Sequence, residues 1–146
     1  MWLACGAGVL LVLAQAEVRA ADFRSIAENA AVLYDAPSAK AKKLYVIGRG
    51  YPVEVIVVVE GWIKIRDASG ELAWIESKGL SERRTVMVKT PLADIRQAAD
   101  DQAPLVFQAV QSVLLELVEL TGTGWARVTH RDGQSGYIKL SQVWGV

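Results

Sequence analysis

The sequence predicts an all-β protein made of two small barrels in tandem behind an N-terminal secretory segment. Three observations carry that expectation. The second half of the chain repeats the first. Within each half, β-branched and aliphatic runs such as Val53 to Val59 and Val113 to Leu120 are bounded by Gly and Asp turns. No long segment has a helical period.

The repeat fixes the division. Gly61-Trp62-Ile63-Lys64-Ile65 aligns with Gly124-Trp125-Ala126-Arg127-Val128, and the same offset of 63 places Gly70 on Gly133, Trp74 on Tyr137, Ile75 on Ile138 and Leu80 on Val143. Upstream the offset is 62, placing Ala31 on Ala93, Leu33 on Ile95, Tyr45 on Phe107 and Glu54 on Glu116, so one inserted residue lies within Glu119 to Gly124. The copies run from about Phe23 to Leu80 and from about Thr85 to Val143. The predicted division is residues 1–21 as a signal peptide helix, 22–80 as the first barrel and 81–146 as the second. Domains of about sixty residues bury only about 60% of their unfolded surface, so packing of one copy on the other is expected to help both. The polar join Ser81-Glu82-Arg83-Arg84 is short enough to restrict their relative motion.

Residues 1–21 contain the apolar run Val9 to Leu13 followed by Ala14-Gln15-Ala16 and Val18-Arg19-Ala20, two small-residue patterns suited to signal-peptidase cleavage. The run is short for a bilayer. No Lys or Arg precedes it, and the alternative is an uncleaved anchor, the one circumstance in which membrane contact is expected. The single cysteine, Cys5, lies in this segment, so the mature chain is expected to form no disulfide and to lack a thiol nucleophile.

Composition narrows the function. The 146 residues are 52% hydrophobic and 22% charged, as in a globular protein, and 16 basic residues balance 16 acidic ones. Neither half gathers a basic stripe able to neutralise a run of phosphates, so nucleic acid is not an expected partner. Catalysis, a metal and a cofactor are not expected either. No Gly-rich phosphate loop, serine elbow or metal-ligand cluster is present, and the one histidine, His130, reads as a surface residue in a turn. The paired carboxylates Asp100-Asp101 and Glu116-Glu119 fall in a loop and a strand and read as structural.

Several stretches resemble bacterial Src-homology-3 domains. Leu33-Tyr34-Asp35-Ala36-Pro37-Ser38 and Ile95-Arg96-Gln97-Ala98-Ala99-Asp100 resemble that family's opening loop. The Gly-Trp-x-Lys/Arg-Ile/Val segments, the turns Asp67-Ala68-Ser69-Gly70 and Arg131-Asp132-Gly133-Gln134, and the following Trp74-Ile75 and Tyr137-Ile138 resemble its third and fourth strands. The resemblance covers nearly all of the mature chain. It implies two SH3-like barrels, a place outside the cytoplasm (the periplasm or its equivalent), and binding of peptidoglycan or peptides. The second copy has Arg96-Gln97 in place of Tyr34-Asp35, and neither copy has the proline and second tyrosine that complete a polyproline groove, so polyproline recognition is not expected.

Strand alternation locates candidate binding residues. Period two puts Ile63 and Ile65 on one face and Trp62 and Lys64 on the other, Ala126 and Val128 against Trp125 and Arg127, and sets Trp74 with Glu76 and Tyr137 with Lys139. Each barrel is thus expected to carry two rings outside its core. The candidate ligand-binding residues are Tyr34, Asp35, Trp62 and Trp74, with Arg96, Trp125 and Tyr137 as counterparts, and the expected partner is cell-wall peptide or an envelope protein. A competing reading makes the rings staples between barrels or covers for loop stems. The alternative function is an assembly subunit whose aromatics and Trp144-Gly145-Val146 pack on another protein or a second copy. Lys40, Lys42 and Lys43 give the first opening loop a basic character that Gln102, Pro104 and Leu105 lack, and they read as a solvated loop.

Overall fold

The strands of the first copy are β1 (Phe23–Ile26), β2 (Ala30–Tyr34), β3 (Lys43–Gly48), β4 (Pro52–Val59), β5 (Trp62–Arg66), β6 (Leu72–Glu76) and β7 (Leu80–Ser81). Those of the second are β8 (Thr85–Val88), β9 (Leu92–Arg96), β10 (Leu105–Val110), β11 (Leu114–Leu120), β12 (Trp125–Thr129), β13 (Ser135–Lys139) and β14 (Val143–Trp144). This computed structural model describes residues 21–146, so the predicted signal segment and Cys5 lie outside the described residues, Ala21 apart.

The strands form two seven-stranded antiparallel sheets of the same topology, β3-β2-β6-β5-β4-β1-β7 and β10-β9-β13-β12-β11-β8-β14. The repeat read from sequence is therefore a repeat of architecture, down to its irregularities. The register slips between Val55 and Val57 in one copy and between Leu117 and Glu119 in the other, leaving Ile56 and Val118 as matching bulges. The inserted residue falls in the β11–β12 connection, Thr121 to Gly124, where the first copy turns with Glu60 and Gly61 alone. Gly70 and Gly133 have positive φ in the matching β5–β6 and β12–β13 hairpins, as expected.

Each sheet closes over a core of its own. The buried members of the first cluster are Ile26, Ala31, Leu33, Val53, Ile63, Ile65, Ala73 and Ile75. Those of the second include Val86, Val88, Ile95, Leu115, Ala126, Val128 and Ile138. All are aliphatic, because a barrel of such short strands has interior room for branched side chains and little else. At one point even a methyl group is too much: a Cβ on Gly136 would stand 2.5 Å from Ile95 Cγ2 and 2.7 Å from the Arg96 carbonyl oxygen. The first copy has buried Ala73 at that place.

The two barrels dock along a seam. Phe23, buried but outside the core cluster of its own barrel, packs edge-to-face on Trp144 of the other barrel with centroids 5.0 Å apart. The Arg84 guanidinium lies 5.8 Å from the Phe23 ring and donates to the Gly145 carbonyl at 2.8 Å. Thr85 Oγ1 donates to the Gly50 carbonyl at 2.6 Å, and Ser25 Oγ to the Arg83 carbonyl at 2.7 Å. Gly145 has φ of +119°, and a Cβ there would lie 2.8 Å from the Thr85 oxygen and 3.2 Å from Pro52 Cβ, so backbone meets backbone at the seam. Trp144 and Gly145, expected as candidates for docking on another molecule, are taken up within the chain.

Gly136→Ala is expected to destabilise the second barrel by about 1–3 kcal/mol through overpacking, while Ala73→Gly in the first costs about 1 kcal/mol; urea denaturation of the two variants measures the contrast. Trp144→Ala is expected to cost about 2 kcal/mol, less than the ~3–5 of a fully buried ring. It should also split a single calorimetric transition into two, since the seam couples the barrels. Retention of one unchanged transition would count against that coupling.

Candidate functional site

Three adjacent strands assemble the aromatic face of the first barrel. β2 ends on Tyr34, β5 starts on Trp62 and carries Lys64, and β6 carries Trp74 and Glu76. The register sets Tyr34 opposite Trp74, Trp74 opposite Lys64 and Trp62 opposite Glu76. None of these side chains belongs to the core, because Leu33, Ile63, Ile65 and Ile75 take the inward positions. Tyr34 and Trp62 meet edge-to-face with centroids 5.3 Å apart, and the Lys64 ammonium lies 6.0 Å from the centre of the Trp74 ring. Beside them is a hollow of about 160 Å³ lined by Glu28, Val32, Tyr34, Glu76 and Lys78, among others. Glu76 pairs with Lys78 at 3.2 Å, and this contact holds the exposed Lys78 ammonium above its ordinary pKa.

The expected residues are thus brought together, with differences. Tyr34 is 8% exposed, whereas Trp62 and Trp74 are half-buried. Asp35 is exposed, but its carboxylate accepts from the Lys42 backbone N–H at 3.1 Å and closes the opening loop. Lys40, Lys42 and Lys43 are solvent-exposed around that loop. Glu28 and Lys78 join the site from outside the repeated motifs, and no local pattern distinguishes them from other surface charges.

In the second barrel the counterparts do not form the same face. Tyr137 lies opposite Arg96 and Arg127, and Trp125 opposite Lys139, as in the first copy. Trp125 stands outside the core, as alternation requires, yet it is only 9% exposed, where a free outward ring was expected. The reason is the exchange of Tyr34 for Arg96 and of Glu76 for Lys139. Lys139 lies 5.7 Å from the Trp125 ring centre and pairs with Asp101, while Arg96 donates to Asp94 at 3.2 Å and to the Ala103 carbonyl at 2.9 Å. These charges roof the ring and leave a cavity of about 70 Å³. Tyr137 instead borders a separate, open groove of about 450 Å³ with Gln97, Ala98, Glu119 and Thr121.

The other titratable groups serve structure. Asp67, 6% exposed, accepts from Tyr45 Oη at 2.7 Å, Ser69 Oγ at 2.6 Å, Ser69 N–H at 2.9 Å and Glu71 N–H at 3.0 Å. Burial opposes its charge, and the hydrogen bonds from Ser69, Tyr45 and Glu71 outweigh burial and hold its pKa below the usual 3.8. Burial, with the bond to Asp67, pushes the Tyr45 hydroxyl far above its ordinary 10.0. At the matching place the second copy exchanges both partners at once, setting His130 against Phe107 with ring centroids 6.1 Å apart. His130, expected at the surface, is accordingly half-buried. Glu54 is engaged by Arg66 at 2.8 Å and Glu116 by Arg83 at 3.1 Å. Among the described residues no group of three His, Cys, Asp or Glu side chains could hold a metal ion, and no helix is long and apolar enough to cross a membrane.

A family model for the bacterial SH3 domain matches residues 27–82 and again residues 89–145. The chain belongs to the bacterial SH3 domain family, in two tandem copies. No curated protein matches its sequence. Among solved structures, NlpC2 from Trichomonas vaginalis is 16% identical with a TM-score of 0.40, the match covering 87% of this chain and 49% of that one. NlpC1 from Trichomonas vaginalis is 19% identical with a TM-score of 0.40, covering 97% and 52%. An NlpC/P60 family protein from Bacillus cereus is 16% identical with a TM-score of 0.39, covering 84% and 55%. The chain spans about half the length of these proteins.

Asp67→Asn is expected to cost the first SH3 domain about 1–3 kcal/mol at neutral pH. A lowered folded pKa means that the carboxylate's contribution is full above pH 3.8 and is lost as pH falls below it. The gap in Tm between wild type and variant should therefore close on acidification below pH 3.8, and a gap that stays constant would rule out this source of stability.

Proposed function

We propose that this protein is a non-catalytic binding module that works outside the cytoplasm, and that the Tyr34–Trp62–Trp74 face of its first SH3 domain takes cell-wall peptide. One observation carries the reading. Two half-buried tryptophans and a tyrosine line up across β2, β6 and β5 next to a hollow bearing Glu28, Glu76 and Lys78, while the same position in the second domain is roofed by its own charges. Flat rings offer a large contact area to an extended peptide or a sugar edge at low entropic cost. The flanking carboxylates and ammonium match the amines and carboxylates that cell-wall peptides carry.

The two copies then divide the work: the first binds, and the second stiffens the first through the seam. Arg96 and Trp125 are counterparts by position and belong to the second domain's closed roof, so they are placed outside the binding face. A place outside the cytoplasm agrees with residues 1–21 read as a secretory segment, and the engagement of Glu54, Glu116 and Asp101 in ion pairs supports binding rather than acid–base chemistry.

The full chain is expected to be retained on purified peptidoglycan and to change its tryptophan fluorescence with soluble muropeptides. Trp62→Ala should weaken muropeptide binding roughly tenfold, with circular dichroism confirming the fold, and Trp125→Phe should leave it unaltered. Absence of both retention and a fluorescence response would remove the cell-wall reading.

A further inference from the structure

The seam that joins the barrels leaves a groove on one flank, on a different part of the molecule from the aromatic face. Its volume is about 540 Å³, within the roughly 300–1,000 Å³ of small-ligand sites. Past the bridge from Thr85 to the Gly50 carbonyl it is continued by a second hollow of about 280 Å³ that shares Arg49, Gly50, Thr85 and Glu116. Docking completes the groove: Arg49 and Gly50 come from the β3–β4 connection, and the remaining wall comes from β8, from β11 with Val113 before it, and from the end of β12 with the turn that follows.

Its chemistry is uneven. The floor is apolar, formed by half-buried Val113 and Leu114 and the edge of Leu115. The rim carries Arg49, Arg131 and His130. The one acid on the rim, Glu116, is already paired with Arg83 at 3.1 Å. Arg49 gives only its Nε–H, to Asn29 Oδ1 at 3.0 Å. Neither Arg49 nor exposed Arg131 pairs with a carboxylate among the described residues. Two guanidinium forks thus face a groove whose only carboxylate is spoken for.

We infer that this inter-domain groove is a second binding site, and that it takes the free C-terminal carboxylate of a short peptide, held by Arg49 and Arg131 over Leu114. Planar guanidinium groups recognise carboxylates bidentately, and such charge-assisted bonds are about twice as strong as neutral ones. The floor accepts one or two small apolar side chains. A bare phosphate would leave this apolar floor uncovered. The site requires both domains in their docked arrangement, and it stands independently of the aromatic face.

The test titrates the full chain with N-acetyl-alanyl-alanine, with its C-terminal amide and with inorganic phosphate, followed by calorimetry and by backbone amide NMR. The acid is expected to bind saturably and to shift the amides of Gly50, Thr85 and Leu114. The C-terminal amide should bind roughly tenfold more weakly, and phosphate should not compete. Arg49→Gln and Arg131→Gln should each weaken the acid to a similar degree, while Arg127→Gln, an exposed arginine elsewhere on β12, should change nothing. Equal binding of acid and amide, absence of saturable shifts at the seam, or indifference to both substitutions would overturn the proposal. Competition by phosphate at equal strength would reduce the site to a general anion site and overturn the peptide assignment. Peptidoglycan retention of the same sample is read separately, so failure of the aromatic face and failure of this groove are told apart.

Discussion

A barrel of short strands has almost no interior, and the rest of this structure follows from that constraint. The buried members of both cores are alanine, valine, leucine and isoleucine, and Gly136 shows how little slack remains. Large rings must therefore be accommodated outside the core. Each finds a different solution: Phe23 and Trp144 cover one another across the seam, Tyr34 and Trp62 meet on an open face, and Trp125 lies beneath Lys139. Interface, candidate site and closed counterpart are three outcomes of the same shortage of volume.

The seam packs two small domains directly on one another. Its centre is unusually close, with the Gly145 backbone against Thr85 and Pro52, and its rim is polar, with Arg84 and Arg83 spanning from the linker to both barrels. A short join alone limits motion. Docking of Phe23 on Trp144 goes further and gives the groove under Arg49 and Arg131 a defined shape. The second domain, whose outward tryptophan is roofed by its own charges, supplies most of the groove's lining.

The duplicated copies have diverged in coordinated pairs. Where the first sets Tyr45 against Asp67, the second sets Phe107 against His130, a hydroxyl and a carboxylate leaving together. Where the first has Tyr34 and Glu76 around its tryptophan, the second has Arg96 and Lys139, which recruit Asp94 and Asp101. A buried carboxylate is costly without its partners, so the exchange of Asp67 goes with that of Tyr45. Each exchange was visible in the aligned halves, but its consequence was not, because Asp101 meets Lys139 only through the folded opening loop.

Periodicity and repetition by themselves determined the β class, the duplication, the hairpin glycines and the side of the sheet on which Trp62, Trp74, Trp125 and Tyr137 stand, because each depends on neighbours two residues away or on the copy offset. What covers an outward side chain was decided by tertiary structure alone. Alternation separates in from out, and it is silent on whether outside means solvent, a roof of ion pairs or a neighbouring barrel. For that reason Trp125 and Trp62 look alike in sequence and differ in the fold, Trp144 turns inward on Phe23, and Arg49 and Arg131, 82 positions apart in the chain, line one groove.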